Sequence, residues 1–233
     1  MFNIKFYTKL KIIILNIFFL NSKNIFNFIL KNHKKSNSQI FQDLFVLYYT
    51  KNKKRGFFIE IGGGNGFDLS NTYLLEKKFK WDGIICEPNV NLQKNISELR
   101  SAQLIKKPIT KKCVKNLDFY ENLDPYQSSI IKTNNFKKLR RINSLCLNHL
   151  LKNFNKNKII DYISIDTEGN ELEILKNFNF KKFKVNILTI EHNFNEIKRK
   201  EILKIMKKNN YIRVHKKISY MDDWYIKSPF NIN

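Results

Sequence analysis

Four short blocks hold the residues whose types and spacing could do chemistry: Glu60-Ile61-Gly62-Gly63-Gly64-Asn65-Gly66, Glu87, residues 164–175, and Glu191-His192-Asn193. Glycines let a backbone turn tightly and approach a ligand with no side chain between them. The first block follows the apolar run Phe57-Phe58-Ile59, as at the end of a buried parallel strand. Its glycines depart from GxGxxG, the third standing one position early, and no P-loop Lys-Ser/Thr pair follows, so a dinucleotide or nucleoside triphosphate is disfavoured. Glu87 closes the next apolar run, Ile84-Ile85-Cys86, at about the ~20-residue interval expected of a ribose-binding acid. A carboxylate there can accept hydrogen bonds from both ribose hydroxyls.

Asp166 ends a third apolar run, Tyr162-Ile163-Ser164-Ile165. Three roles suit it: general base, partner that orients a histidine, or ligand to a divalent cation together with Glu168 and Glu191. Thr167 or Asn170 is expected to cap the helix starting at Glu171, with Glu171 and Glu173 at its positive end. His192 lies beside Glu191 at a fourth strand end. An imidazole there can take a proton from an acceptor, with Asp166 or Glu191 orienting it.

Positioning these residues requires strands and helices in alternation. Helices are expected over residues 38–49, 71–79, 92–99, 145–154, 171–178 and 197–207, and strands over 57–61, 84–87, 162–165 and 185–190. Shorter strands are expected near Leu104-Ile105, Leu117 and Tyr120, with a polar loop over residues 124–135 and two closing strands over 211–215 and 224–227. Such alternation predicts a parallel sheet with helices on both faces and its ligand site at the carboxyl ends of the strands. Glu60, Glu87, Asp166 and Glu191 all fall there.

Taken in order, the blocks resemble the FkbM family of methyltransferases. The residues that carry the resemblance are Ser38-Gln39-Ile40-Phe41-Gln42-Asp43-Leu44-Phe45-Val46, Gly56-Phe57-Phe58-Ile59-Glu60-Ile61-Gly62, Ser70-Asn71-Thr72-Tyr73-Leu74-Leu75-Glu76, Trp81-Asp82-Gly83-Ile84-Ile85-Cys86-Glu87-Pro88-Asn89, Cys113-Val114, residues 161–175 and Glu191-His192-Asn193. The resemblance implies a Rossmann-like class I methyltransferase sheet, mostly parallel, with an antiparallel closing strand. It implies transfer of a methyl group from S-adenosyl-L-methionine, usually O-methylation, with a sugar, glycan or secondary metabolite as acceptor. The cofactor would be held by Glu60, Gly62, Gly64, Asn65, Gly66, Asn71, Glu87, Pro88, Cys113 and Asp166, and His192, Asp166 and Glu191 would carry the catalysis without a metal. Asn65 stands where the family commonly has an acid, leaving Glu60 to supply negative charge near the cofactor's ammonium.

Residues 38–233 would form this domain, and residues 1–37 a basic, apolar, helical arm. In the arm, Lys9 and Lys11 precede the apolar run 12–20, too short for the ~20 residues that span a bilayer. A peripheral membrane contact through this arm and a cytoplasmic location are the expectations. The net charge of +23 comes mostly from Lys dispersed among Asn, Ile and Phe, residues with A/T-rich codons. No basic-aromatic motif or helix-turn-helix signature accompanies it, so nucleic acid is not an expected partner. The alternative is a catalytically inactive methyltransferase-like module binding nucleic acid or anionic membrane through this basic surface. Cys86, Cys113 and Cys146 are widely spaced and odd in number, which points to no disulfide framework and no structural zinc.

Overall fold

The computed structural model describes residues 23–154 and 159–230. The apolar run 12–20 and the membrane contact expected of it lie outside the described residues. Within them, no helix is long and apolar enough to cross a membrane.

The sheet grows from the apolar runs read in the sequence. Strands β1 (Phe57–Ile61), β2 (Asp82–Cys86), β3 (Gln103–Ile105), β8 (Ile160–Ile165), β9 (Val185–Glu191), β10 (Tyr211–Val214) and β11 (Asp222–Lys227) join in the order β10-β11-β9-β8-β1-β2-β3. Pairing is parallel from β9 through β3, and β11 enters antiparallel beside β9. Two small sheets stand apart: β4 (Ile109–Thr110) with β7 (Leu145–Cys146), and β5 (Leu117–Asn122) with β6 (Phe136–Ile142).

Helices α1 (Lys23–Asn32), α2 (Gln42–Tyr49), α3 (Tyr73–Phe79), α4 (Val90–Leu99), α5 (Leu147–Phe154), α6 (Glu171–Asn177) and α7 (Glu196–Lys208) cover the main sheet. Successive strand residues point to opposite faces, so the apolar runs feed two cores. Ile59, Ile61, Ile84, Ile163 and Ile165 pack against Leu150 of α5, Ile174 of α6 and Met206 of α7. Phe58, Ile85 and Tyr162 pack against Ile25 and Ile29 of α1, Phe45 of α2, Leu75 of α3 and Ile96 of α4. Each such side chain, taken fully from water, contributes about 1.5–3 kcal/mol.

Two local expectations change. Helix α2 starts at Gln42, not after Ser38, because the buried Asp43 carboxylate accepts from Ser36 Oγ (2.7 Å), Ser38 Oγ (2.7 Å) and the Asn37 N–H (3.0 Å), holding residues 36–38 outside the helix. Strand β6, Phe-Lys-Lys-Leu-Arg-Arg-Ile, was not anticipated, since it is mostly exposed and has no apolar alternation.

Gly62, just past β1, carries φ +87°, and a Cβ there would lie 1.6 Å from the Asp166 carbonyl oxygen. Only glycine allows β1 and β8 to end this close together. Gly62→Ala should therefore cost more than about 2 kcal/mol in urea unfolding, from left-handed strain plus overpacking. A loss below ~0.5 kcal/mol, the scale of an ordinary surface change, would show that the approach is not constrained.

Candidate functional site

A cavity of about 740 Å³ opens at the carboxyl ends of β1, β2 and β8. Sites for small molecules run ~300–1,000 Å³. It sits between β1 and β8, where the strand order reverses. Glu60, Gly62, Gly64, Asn71, Glu87, Pro88 and Asp166 line it, as expected. The opposite wall is built by residues 124–130, and Pro108, Ile109 and Phe119 add an apolar surface. Gly64, at φ +55°, leaves space that a Cβ would contest with the Tyr126 ring at 2.8 Å.

Glu60 faces the cavity, but its oxygens are largely engaged by the chain itself. It accepts from the Asn71 N–H (2.6 Å), from Thr72 Oγ1 (2.6 Å) and from Ser70 Oγ (3.1 Å). Behind it lies Arg100, whose side chain has no exposed surface and whose Nη1 is 3.6 Å from Glu60 Oε2. The guanidinium donates to Glu76 Oε2 (2.8 Å), the Gly66 carbonyl (2.9 Å), Ser70 Oγ (3.2 Å) and Thr72 Oγ1 (2.8 Å). Arg100 thus ties the glycine turn, residues 70–72 and α3 together. Burial raises the Glu60 pKa against the pull of Arg100; at Glu76 burial also acts upward, but Arg100 and the Ser101 N–H bring the net shift below the usual value.

Glu87 is held by two backbone donors, Gly64 N–H at 3.0 Å and Asn89 N–H at 2.8 Å, one on each oxygen. Each oxygen keeps further acceptor capacity. Burial pushes its pKa up to about 8 despite these donors. Asn71 gives its amide to Ser164 Oγ (2.8 Å), while its buried Oδ1 has no partner among the described residues. An acceptor left unpaired inside a cavity costs about 1–3 kcal/mol unless a ligand fills it.

The third edge is acidic. Asp166 and Glu168 line the cavity, and their carboxylate oxygens lie within 4.8 Å of those of Glu191. Glu171 shapes this edge without facing it: Oε1 accepts from the N–H groups of Thr167 (2.8 Å) and Gly169 (3.0 Å), and Oε2 pairs with Lys198 Nζ at 2.9 Å. The loop is therefore held by Glu171, not by the caps expected of Thr167 or Asn170; Asn170 donates to the Ile109 carbonyl instead. Burial, then the Glu191 and Glu168 charges, hold Asp166 well above the carboxylate range, and burial with Glu168 pushes Glu191 up to about 9.

The family profile described as Methyltransferase FkbM domain matches residues 60–213, from the end of β1 to β10. The chain belongs to the FkbM methyltransferase family. Its sheet is the Rossmann-like class I methyltransferase arrangement, mostly parallel with one antiparallel strand. Similar solved structures include a putative O-methyltransferase from Klebsiella pneumoniae (7% identity, 97% of this chain and 100% of that one, TM-score 0.47). Another is precorrin-6y C5,15-methyltransferase from Geobacter metallireducens GS-15 (10% identity, 79% of this chain and 84% of that one, TM-score 0.45). No curated protein matches the sequence.

In this FkbM-family chain five expected site residues stand away from the cavity. His192 is 1% exposed and does not line it. Its Nδ1 accepts from the Phe194 N–H (3.1 Å), its Nε2 points to Asp223 at 3.9 Å, and burial lowers its pKa. A base must reach the proton it takes, so His192 is not placed to serve; the strand-end position was right, but its side chain faces the β11 side. Glu191 also stands behind the lining, beside Asp166. Asn65 folds back into its own turn, accepting from the Phe67 and Asp68 N–H groups. Gly66 packs on Ile96 and Arg100. Cys113 is exposed, with its sulfur 3.3 Å from that of Cys146, a pair the sequence spacing hid. Arg100 is the part of the site that the sequence left unassigned, while residues 124–130 belong to the polar loop 124–135 read from the sequence.

Arg100→Ala leaves Glu60 buried without a compensating charge and should cost about 3–5 kcal/mol in denaturant unfolding. A cost under ~1 kcal/mol would remove the guanidinium from its organising role. Glu87 gives a pH signature. Its folded pKa, about 8, exceeds the ordinary 4.5, so its contribution to stability is present below pH 4.5 and is lost as pH rises towards 8. Glu87→Gln should therefore raise the melting temperature more at pH 8.5 than at pH 5; equal shifts at both would contradict the buried carboxylate.

Proposed function

We propose that this chain transfers a methyl group from S-adenosyl-L-methionine to a hydroxyl oxygen of a sugar, glycan or secondary metabolite. The observation that carries the reading is the Glu87 carboxylate, buried at the end of β2 and fixed by the N–H groups of Gly64 and Asn89 at the edge of the cavity. With its remaining lone pairs it suits a ribose diol. Asn71 Oδ1, buried and unpaired among the described residues, suits the ammonium of the methionine part. Pro108, Ile109 and Phe119 offer an apolar face to a purine. When bound, the sulfonium supplies an activated methyl, so the chemistry resides in the cofactor.

The chain's own tasks are to bind, align and exclude water. Gly62 and Gly64 bring bare backbone to the ligand, and Arg100 keeps that backbone from moving. Residues 124–130 close the opposite side, and an acceptor hydroxyl entering there meets the Asp166 and Glu168 wall. The β5–β6 ribbon that carries this wall also exposes Lys132, Lys137, Lys138 and Arg141. That charge favours an acceptor bearing phosphate or carboxylate groups.

Calorimetry should give one S-adenosylmethionine per chain, with at least tenfold weaker binding in Glu87→Ala and Asn71→Ala, and no comparable binding of NAD. Ligand hydroxyls favour the charged form of Glu87, so affinity should rise as pH rises towards 8 and flatten in Glu87→Gln. Tighter binding of NAD, or an Ala variant at Glu87 that binds like the parent, would overturn the cofactor assignment. Product spectra that place the labelled methyl on nitrogen or carbon would overturn the oxygen assignment alone.

A further inference from the structure

We infer that Asp166, Glu168 and Glu191 form a site for one divalent cation of the magnesium, manganese or calcium type. The inference rests on the proposed methyl transfer for its use, though not for its geometry. All three offer carboxylate oxygens mutually within 4.8 Å. Oxygens bound at roughly 2.1–2.4 Å to a hard cation lie about 3.0 Å apart in neighbouring positions and up to about 4.8 Å apart in opposite ones, and the three carboxylates fall inside that outer limit. An all-oxygen donor set selects hard cations over zinc or copper.

The independent observation is Glu191. It is 5% exposed, and its Oε2 has no hydrogen-bond partner among the described residues. A buried carboxylate oxygen without a donor is costly, and the same carboxylate offers an oxygen to the cluster formed with the other two acids. The one nearby cation among the described residues relieves it only in part, because the surrounding acids outweigh it. Lys198 is bonded to Glu171, and Asp222, opposite Glu191 in the β9–β11 ladder, accepts from Gln42 Nε2 at 2.8 Å. No lysine or arginine among the described residues pairs with Asp166, Glu168 or Glu191, in a chain of net charge +23.

Asp166 and Glu168 border the cavity while Glu191 lies behind them. A cation held there keeps open positions on the cavity side only. An acceptor oxygen can complete its shell, which would orient that hydroxyl and lower its pKa. Acceptors with two neighbouring oxygens would then be preferred over isolated hydroxyls. Glu171 is a positioning residue for this site, since it clamps the Thr167 and Gly169 N–H groups on either side of Glu168.

The test is a Mn²⁺ titration of the full EDTA-stripped chain, read by loss of the free-ion electron paramagnetic resonance signal. One Mn²⁺ per chain should bind in the micromolar range and be displaced by Mg²⁺. Glu191→Gln and Glu168→Gln should each weaken it at least tenfold, while Glu173→Gln, on the exposed face of α6, should not. If Glu191→Gln does not fold, the Glu168→Gln result decides alone. Absence of stoichiometric Mn²⁺ binding, or binding unchanged in the Glu168 and Glu191 variants, overturns the inference. Calorimetry with S-adenosylmethionine in EDTA separates the two readings: cofactor binding without any Mn²⁺ site sinks the cation alone, and loss of cofactor binding sinks the methyl-transfer reading.

Discussion

A guanidinium with no exposed surface sits beneath the glycine turn, and the geometry of the cofactor side follows from it. Arg100 reaches Glu60, Glu76, Gly66, Ser70 and Thr72 from one position at the end of α4. A charge so buried is tolerated only when its donors are matched, and here the matching groups belong to three separate segments. Because those segments must converge on Arg100, the turn after β1 and the start of α3 keep a fixed relation, and Asn71 and the glycines are held against the cavity. Arg100 also lies over the rings of Phe58 and Tyr73, at 5.6 and 5.7 Å from their centres, joining this polar hub to the apolar core.

On the other side of the switch point the chemistry inverts. Asp166, Glu168, Glu191 and Asp222 bring four carboxyl groups together in a chain whose surface is strongly basic. Burial and mutual repulsion raise their pKa values, the pattern of groups placed for use and not for stability. One edge of the cavity is thus built from backbone and a satisfied ion hub, the other from carboxylates that form no ion pair among the described residues. Ligand recognition and acceptor handling divide along that line.

What the sequence revealed depended on how local the physics was. Apolar runs ending in an acid marked β1, β2, β8 and β9, and a strand's carboxyl end is a place in the sheet, so Glu60, Glu87 and Asp166 could be located together. The glycine turn was equally readable. Side-chain direction was not: His192 follows a strand that ends at the right edge, yet its ring turns toward Asp223. Nor was Arg100 readable, because it stands outside every motif, 24 to 40 positions beyond its partners. Strand β6 hid in a basic stretch, and the Cys113 and Cys146 neighbourhood arises only from β4 pairing with β7.

Hydrogen exchange with and without S-adenosylhomocysteine tests the central claim most directly, because it reads where the ligand sits without depending on turnover. Protection is expected in residues 60–72, 86–89 and 124–130 together, at the strand ends and the wall that faces them. Protection confined to the β10–β11 edge, or none at saturating ligand, would contradict a cofactor site at this switch point.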